Sequence, residues 1–297
     1  MMNRQGGKGG IYGKTQKNDT MMRRTLFLWL LFLTVLAAAQ PVELITYNIR
    51  LNTPGDGEHA WPHRKSNVTA LFTFHRADIF CVQEALPEQV DDLAAAFPGY
   101  SFEGVGRDDG KREGEFSAVF YDHERFTQEE GGTFWLSETP AQCSFGWDAA
   151  CRRVCSWVKL EDQMTGKTFF VFNTHFDHRG EVARRESAKL ILEKIREITG
   201  GGMPVVLCGD FNLPPGSEPV ELIRSRLRDA YLVTAVPPYG SVATYHGFTY
   251  DDLPEERIDY VFVSDQVKVM RYGALTDSRD RKFFSDHLPV LVTLEFE

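Results

Sequence analysis

Val42 to Arg50 alternates, with Val42, Leu44, Thr46 and Asn48 on one side and Ile45, Tyr47 and Ile49 on the other, which predicts a strand. After a Pro54-Gly55-Asp56-Gly57 loop, the spacing of Val68, Leu71, Phe72 and His75 predicts a helix over 61–75. The apolar run 78–84 reads as a buried strand stopping at Glu84, and Pro87 opens a helix reaching residue 97. Residues 100–106, 116–121 and 125–136 read as strands, the first two around a charged, Gly-rich loop from Arg107 to Gly114. Residues 154–161 and 168–175 read as a hairpin turning on Met164-Thr165-Gly166-Lys167. A helix over 180–198 turns Ala188, Ile191, Leu192, Ile195 and Ile198 inward and stops at Gly200-Gly201-Gly202. A strand over 204–209, a short helix over 217–226 and strands near 258–263, 267–275 and 289–296 complete the pattern. Strands with helices between them and no flexible linker predict a layered α/β sandwich, two sheets with helices outside.

The first 39 residues stand apart. Residues 1–20 are polar and Gly-rich; Met21-Met22-Arg23-Arg24, an apolar run from Thr25 to Leu36, and Ala37-Ala38-Ala39 follow. That order predicts a secretory signal cut after Ala39, with Met21-Met22 the better start, and a secreted or periplasmic protein. The apolar run is too short for a transmembrane helix, which needs about 20 residues. The expected organisation is therefore an extension and signal peptide over 1–39 and one domain over 40–297.

Removing residues 1–39, with six Lys/Arg and one Asp, leaves 27 basic and 41 acidic residues and a formal charge of −14. So acidic a domain is not expected to bind duplex DNA stably, because such binding neutralises phosphates with basic side chains. A small phosphate ester handled through a metal remains compatible. Of five cysteines, Cys81 and Cys208 fall in apolar strands, whereas Cys143, Cys151 and Cys155 crowd one loop. An oxidising compartment would allow Cys143 to pair with Cys151 or Cys155, and a zinc site there is the lesser alternative.

Polar residues recur where apolar strands end. They are Asn48, Glu84, Asn173 and His175, Asp210 and Asn212, Asp259, and Asp286-His287. Asp259 shares a strand face with Val261 and Val263, so its carboxylate requires a partner. An Asp that orients a His beside a second Asp free to hold a metal is hydrolase chemistry. Carboxylate and amide oxygens suit Mg²⁺ or Mn²⁺.

Tyr47-Asn48-Ile49-Arg50, Val82-Gln83-Glu84, Asn173-Thr174-His175, Gly209-Asp210-Phe211-Asn212, Arg257-Ile258-Asp259-Tyr260 and Ser285-Asp286-His287-Leu288-Pro289 occur in this order. As an ordered set they resemble the endonuclease/exonuclease/phosphatase superfamily. The resemblance implies a four-layered α/β sandwich whose strand-end loops form one cleft. It implies Glu84 as principal metal ligand, with Asn48 and Asp286 completing the metal environment. Asp210 would orient or deprotonate the attacking water, Asn212 and His175 would hold phosphate oxygens, and Asp259 would fix the ring of His287 against the scissile phosphate. The stretch past His175 resembles the deadenylase-like branch.

The expectation is an exported, monomeric, Mg²⁺-dependent phosphoric ester hydrolase, preferring a phosphodiester. Its substrate could be a nucleotide, oligonucleotide, lipid head group or sugar phosphate. The alternatives are a phosphomonoesterase on small sugar or inositol phosphates, and a silent binding protein on the same fold. Arg179 would reach a second phosphate or cap the following helix, and Trp61 to Arg64 and Phe145 to Asp148 are candidate substrate walls.

Overall fold

The computed structural model describes residues 6, 7, 9, 41–251 and 256–297. The expected signal segment and its cut before Gln40 lie outside the described residues. Among the described residues, the regular elements all belong to the unit Gln40–Glu297.

In chain order these are β1 (Val42–Asn48), a 3-10 turn (Pro54–His59), α1 (Trp61–Phe74), β2 (Ile79–Ala85), α2 (Pro87–Ala96), β3 (Tyr100–Glu103), β4 (Phe116–Asp122) and β5 (Phe126–Trp135). Next come β6 (Val154–Asp162), β7 (Lys167–His175), α3 (Glu181–Thr199), β8 (Val205–Asp210), α4 (Glu218–Arg224), β9 (Arg228–Asp229), α5 (Ala230–Val233) and β10 (Tyr239–Gly240). The chain closes with β11 (Asp259–Val263), β12 (Val267–Ala274), β13 (Ser278–Arg279), β14 (Lys282–Phe283) and β15 (Val290–Phe296). The long elements match the sequence pattern to within a few residues. The short pieces β9, β10, β13, β14 and α5 are too brief to show a period.

One mixed sheet has the order β10-β12-β15-β1-β2-β4-β3, the other β5-β6-β7-β8-β11-β9, and β13-β14 is a small ribbon. Three apolar layers follow from strand alternation. Val42, Leu44, Ile79 and Cys81 of the first sheet pack between the sheets with Phe169, Val171, Val206 and Val261 of the second. Their neighbours Ile45, Tyr47, Phe80 and Val82 turn outward onto Leu71 and Phe72 of α1 and Leu93 of α2. Phe170, Phe172, Leu207 and Phe262 turn the other way onto Ala188, Ile191 and Ile195 of α3. Each large apolar side chain so buried contributes about 1.5–3 kcal/mol. The result is helix, sheet, sheet, helix, the four-layered α/β sandwich.

The inter-sheet face is apolar at one end and polar at the other. Val42 and Leu44 give way to Thr46 and Asn48, Ile79 and Cys81 to Gln83, Phe169 and Val171 to Asn173 and His175, and Val206 and Cys208 to Asp210. The antiparallel β11 enters with Asp259 at the same end. Two buried amides tie the sheets together just below this end. Gln83 Nε2 donates to Asn173 Oδ1 over 2.6 Å, and Asn173 Nδ2 donates to the carbonyls of Val82 and Ala118 over 2.9 Å each.

Gly209 is fixed by close approach. A Cβ there would stand 1.9 Å from Thr174 O, and its φ is +137°. Only glycine lets β8 lie against β7 one residue before Asp210.

The loop cysteines do not pair. Cys155 lies on β6 and turns into the core facing α3, while Cys143 and Cys151 are free thiols outside it. Crowding in sequence is undone by the strand, which takes Cys155 inward.

Candidate active site

Register aligns the polar strand ends. In the second sheet His175 of β7 pairs with Asp210 of β8, and Asp210 pairs with Asp259 of β11. Opposite them, Asn48 of β1 is registered with Gln83 of β2, one residue before Glu84. The seven strand-end residues Glu84, His175, Asp210, Asn212, Asp286, His287 and Arg50 line one cleft of about 450 Å³. A larger hollow of about 550 Å³ against α3 and α4 gathers no such set of groups.

Asp259 holds His287: Nδ1 of the ring stands 2.9 Å from Asp259 Oδ2, both residues buried. Burial opposes charging the imidazole, but the Asp259 and Asp210 carboxylates outweigh it and raise His287 well above its ordinary range. The imidazolium therefore presents Nε2 to the cleft, 3.7 Å from Asp210 Oδ2. Burial and Asp259 push Asp210 up to about 7, while His287 pulls the other way. A carboxylate tuned to that range is matched to proton transfer near neutral pH.

Asn48 is the hub of the site. Its amide nitrogen donates to Glu84 Oε1 and to Asp210 Oδ2, 3.0 Å each, and its Oδ1 accepts from Arg50 N. Asn48 thus enters mainly by orienting two carboxylates. Ser285 Oγ, donating to Asn48 O, joins the strand end to the Asp286-His287 turn.

Glu84 sits at the irregularity where the β2–β4 register shifts between Val82 and Ala85, with φ +62°. Leu51 N donates to its Oε2 over 3.1 Å. Arg50 (φ +56°) and Asn212 (φ +51°) share this uncommon backbone region. Such conformations in non-glycine residues persist where surrounding contacts impose them, and they concentrate at functional sites.

Glu84 Oε2 and Asp286 Oδ2 each lie 3.9 Å from Arg50 Nη1, so two carboxylates converge beside one guanidinium. Burial raises the Asp286 pKa; His287 lowers it and Glu84 raises it further. Two close carboxylates in a buried site fit a hard divalent cation, which would remove their mutual repulsion. Asp210, Asp259 and His287 form a second compact group, tied by the contact of Asp259 Oδ2 with His287 Nδ1, while Asp259 Oδ1 has no partner among the described residues.

His175 is held differently from His287. Burial, then Arg153 and Arg107, keep its pKa well below the ordinary range, so the ring is neutral. Asn212 Nδ2 donates to His175 Nε2 and to Phe176 O, 3.0 Å each, which places the ring proton on Nδ1. In this arrangement the Asn212 amide is spent on orienting His175, and Asn212 N donates to Asp210 Oδ1.

Several other expectations change. Trp61 is buried with Nε1 donating to Asp92 Oδ2, and Arg64 donates to the carbonyls of Ile49, Arg50 and Phe284. These two clamp the loops under the site and form no substrate wall. Phe145, Trp147 and Arg179 are absent from the cleft lining, and Asp148 instead caps α3 through Val182 N and Ala183 N. Asp177 accepts from Arg179 N, Gly180 N, Ala150 N and Cys151 N. Burial works against its charge, yet those amides and Arg153 bring it down to about 2.

Among the cleft residues that the motifs left unassigned are Arg107, Glu115, Arg153 and Tyr245. The Tyr245 ring meets that of His287 edge-on, centroids 5.0 Å apart. No period or motif marks them; only the charged loop from Arg107 to Gly114 was visible.

The sequence model of the Endonuclease/Exonuclease/phosphatase family matches residues 45–287. The chain belongs to that family. An endonuclease/exonuclease/phosphatase structure from Bacteroides vulgatus is 40% identical, with 87% of this chain and 100% of that one covered and a TM-score of 0.83. A mannosyl-6-phosphatase from Bacteroides thetaiotaomicron is 39% identical, with 86% and 100% covered and a TM-score of 0.82. The human Nocturnin catalytic domain, 22% identical at a TM-score of 0.69 over 86% and 94%, shares the fold. An uncharacterised protein of Acanthamoeba polyphaga mimivirus is 25% identical over 54% of this chain, which spans 28% of that protein. As an endonuclease/exonuclease/phosphatase family member, the chain is a phosphoric ester hydrolase.

Proposed function

We propose that the protein is a divalent-metal-dependent phosphomonoesterase acting on a small sugar phosphate, with Mg²⁺ the preferred ion and Mn²⁺ able to replace it. The observation that carries the reading is the cleft: about 450 Å³ with walls at both ends, on the scale of a small-molecule site. One wall holds Arg107, Glu115 and Arg153 beside His175, and the other holds Tyr245, Glu256 and Ile258 beside His287. Similarity along the whole length of a mannosyl-6-phosphatase supports the same class of substrate. The formal charge of −14 over residues 40–297 disfavours duplex DNA as the substrate.

Glu84 and Asp286 would hold the cation, which when bound supplies positive charge to the phosphoryl oxygens. Asp210, whose carboxyl is raised by burial and by Asp259, accepts the proton of the attacking water. The His287 imidazolium, fixed by Asp259, donates from Nε2 to a non-bridging oxygen as negative charge accumulates. Neutral His175 contributes a hydrogen bond and no charge.

Phosphate release from mannose 6-phosphate and turnover of bis(4-nitrophenyl) phosphate, each with Mg²⁺, Mn²⁺ or a chelator, test the reading. Faster, chelator-sensitive monoester hydrolysis is expected. Faster diester turnover would instead support the phosphodiesterase suggested by the motifs. We further propose export, on the order of basic, apolar and small residues over 21–39. Mass spectrometry of protein from its native host should find an N-terminus near Gln40, and an intact cytosolic chain would remove that reading.

A further inference from the structure

Arg107 and Glu115 stand at the two ends of a charged loop that the hydrolytic chemistry leaves without a task. The loop is cross-braced: Arg107 N donates to Glu115 O over 3.2 Å and Asp108 N to Glu113 O over 2.9 Å. Trp135 Nε1 donates to Arg107 O over 2.8 Å. Between the side chains, Arg107 Nη1 donates to Glu115 Oε2 over 2.6 Å, and both residues line the cleft.

Behind this pair stands Arg153, 5% exposed, whose Nε and Nη1 have no hydrogen-bond partner. Asp177 Oδ2 at 3.6 Å and Glu115 Oε2 at 3.9 Å balance its charge without taking those hydrogens. Arg107 Nε is unpartnered too, as is His175 Nδ1, 4.0 Å from the same Glu115 oxygen. Buried donors without acceptors are unfavourable, and oxygens brought by a ligand would relieve them.

The sign of the wall selects among ligands. Two guanidinium groups face Glu115 and Asp177, so the charges balance and a second phosphate would meet a carboxylate. Adjacent hydroxyls, each both donor and acceptor, match a rigid guanidinium–carboxylate couple better. β8 lies between β7 and β11, which puts this wall across Asp210 from His287.

We propose that Arg107 and Glu115 form a recognition subsite for neighbouring hydroxyl groups of the substrate's sugar, with the open donors of Arg153 beside them. This rests on the sugar-phosphate reading above and adds the specificity determinant to it.

The test is steady-state kinetics of the full chain with Mg²⁺ on mannose 6-phosphate and on 4-nitrophenyl phosphate, which has no sugar hydroxyls. Arg107→Lys keeps the charge but loses the fork, and Glu115→Gln keeps the shape but loses the carboxylate. Each should lower the mannose 6-phosphate to 4-nitrophenyl phosphate ratio of kcat/KM roughly 10–100-fold, through KM. Residual 4-nitrophenyl phosphate turnover reports that each variant has folded. An unchanged ratio in a wild type that hydrolyses mannose 6-phosphate would overturn the subsite alone. A wild type that hydrolyses 4-nitrophenyl phosphate but not mannose 6-phosphate would overturn both the subsite and the sugar-phosphate reading.

Discussion

Asp259 Oδ2 and His287 Nδ1, 28 residues apart in the chain, meet at 2.9 Å because β11 and the turn before β15 end at the same edge of the sandwich. Asp259 N in turn donates to Thr244 Oγ1, so the carboxylate is held from its backbone as well. A charged acceptor on one ring nitrogen fixes the tautomer and stabilises the cationic ring at the cleft.

Asp259→Asn should therefore lower kcat on the order of 10²–10⁴-fold, by analogy with the Asp-to-Asn change in the serine-protease triad. His287→Ala should cost a similar factor, and the double variant little more, because the two act as one unit. Losses that multiply in the double variant would show two independent residues.

Glu84→Gln should weaken divalent-cation binding and remove most activity while leaving the fold intact. The backbone at Glu84 is unchanged and the Gln oxygen can still accept from Leu51 N, while the ligand charge and the acceptor for Asn48 Nδ2 are lost. Calorimetric titration with Mg²⁺ measures this, and wild-type affinity in the variant would take Glu84 out of the cation site.

The strand ends were legible because alternation is a property of the chain itself. Val42, Leu44, Thr46 and Asn48 must share a face, so a polar Asn48 at the end of that series declares a buried polar site. Arg107, Glu115 and Arg153 were not legible, because a loop and a strand start bring them into the cleft without any period. Arg64 misled for another reason: surface arginine is the common case, and nothing local reveals four carbonyls waiting to bury it. Cys155 misled because spacing in a loop says nothing of which way the next strand faces.

Asp177 sets a pH dependence of stability. Its folded pKa of about 2 lies below the usual unfolded value of about 3.9. A depressed carboxylate stabilises the fold above the unfolded pKa, and that contribution is lost as pH falls from about 4 through 2. Urea unfolding of Asp177→Asn should show a deficit at pH 7 that narrows toward pH 2. A deficit constant with pH would mean that the carboxylate charge is not what the four backbone amides hold.

Asn173 should be the most costly of the buried amides to remove. Asn173→Leu keeps the volume but strips partners from Gln83 Nε2, Val82 O and Ala118 O, all at the inter-sheet plane. Gln83 Nε2 retains Thr46 Oγ1 at 3.0 Å, so the two carbonyls are the groups left most exposed to the penalty. With each unpaired buried group costing about 1–3 kcal/mol, the total is on the order of 3–5 kcal/mol. For a domain of this size that lowers Tm by roughly 10 °C. Adding Gln83→Leu should recover only part of the loss, because it removes the orphaned amide but not the orphaned carbonyls. Calorimetry on the two single variants and the double measures the coupling. A Tm for Asn173→Leu within a degree or two of wild type would mean that these hydrogen bonds do not hold the sheets together.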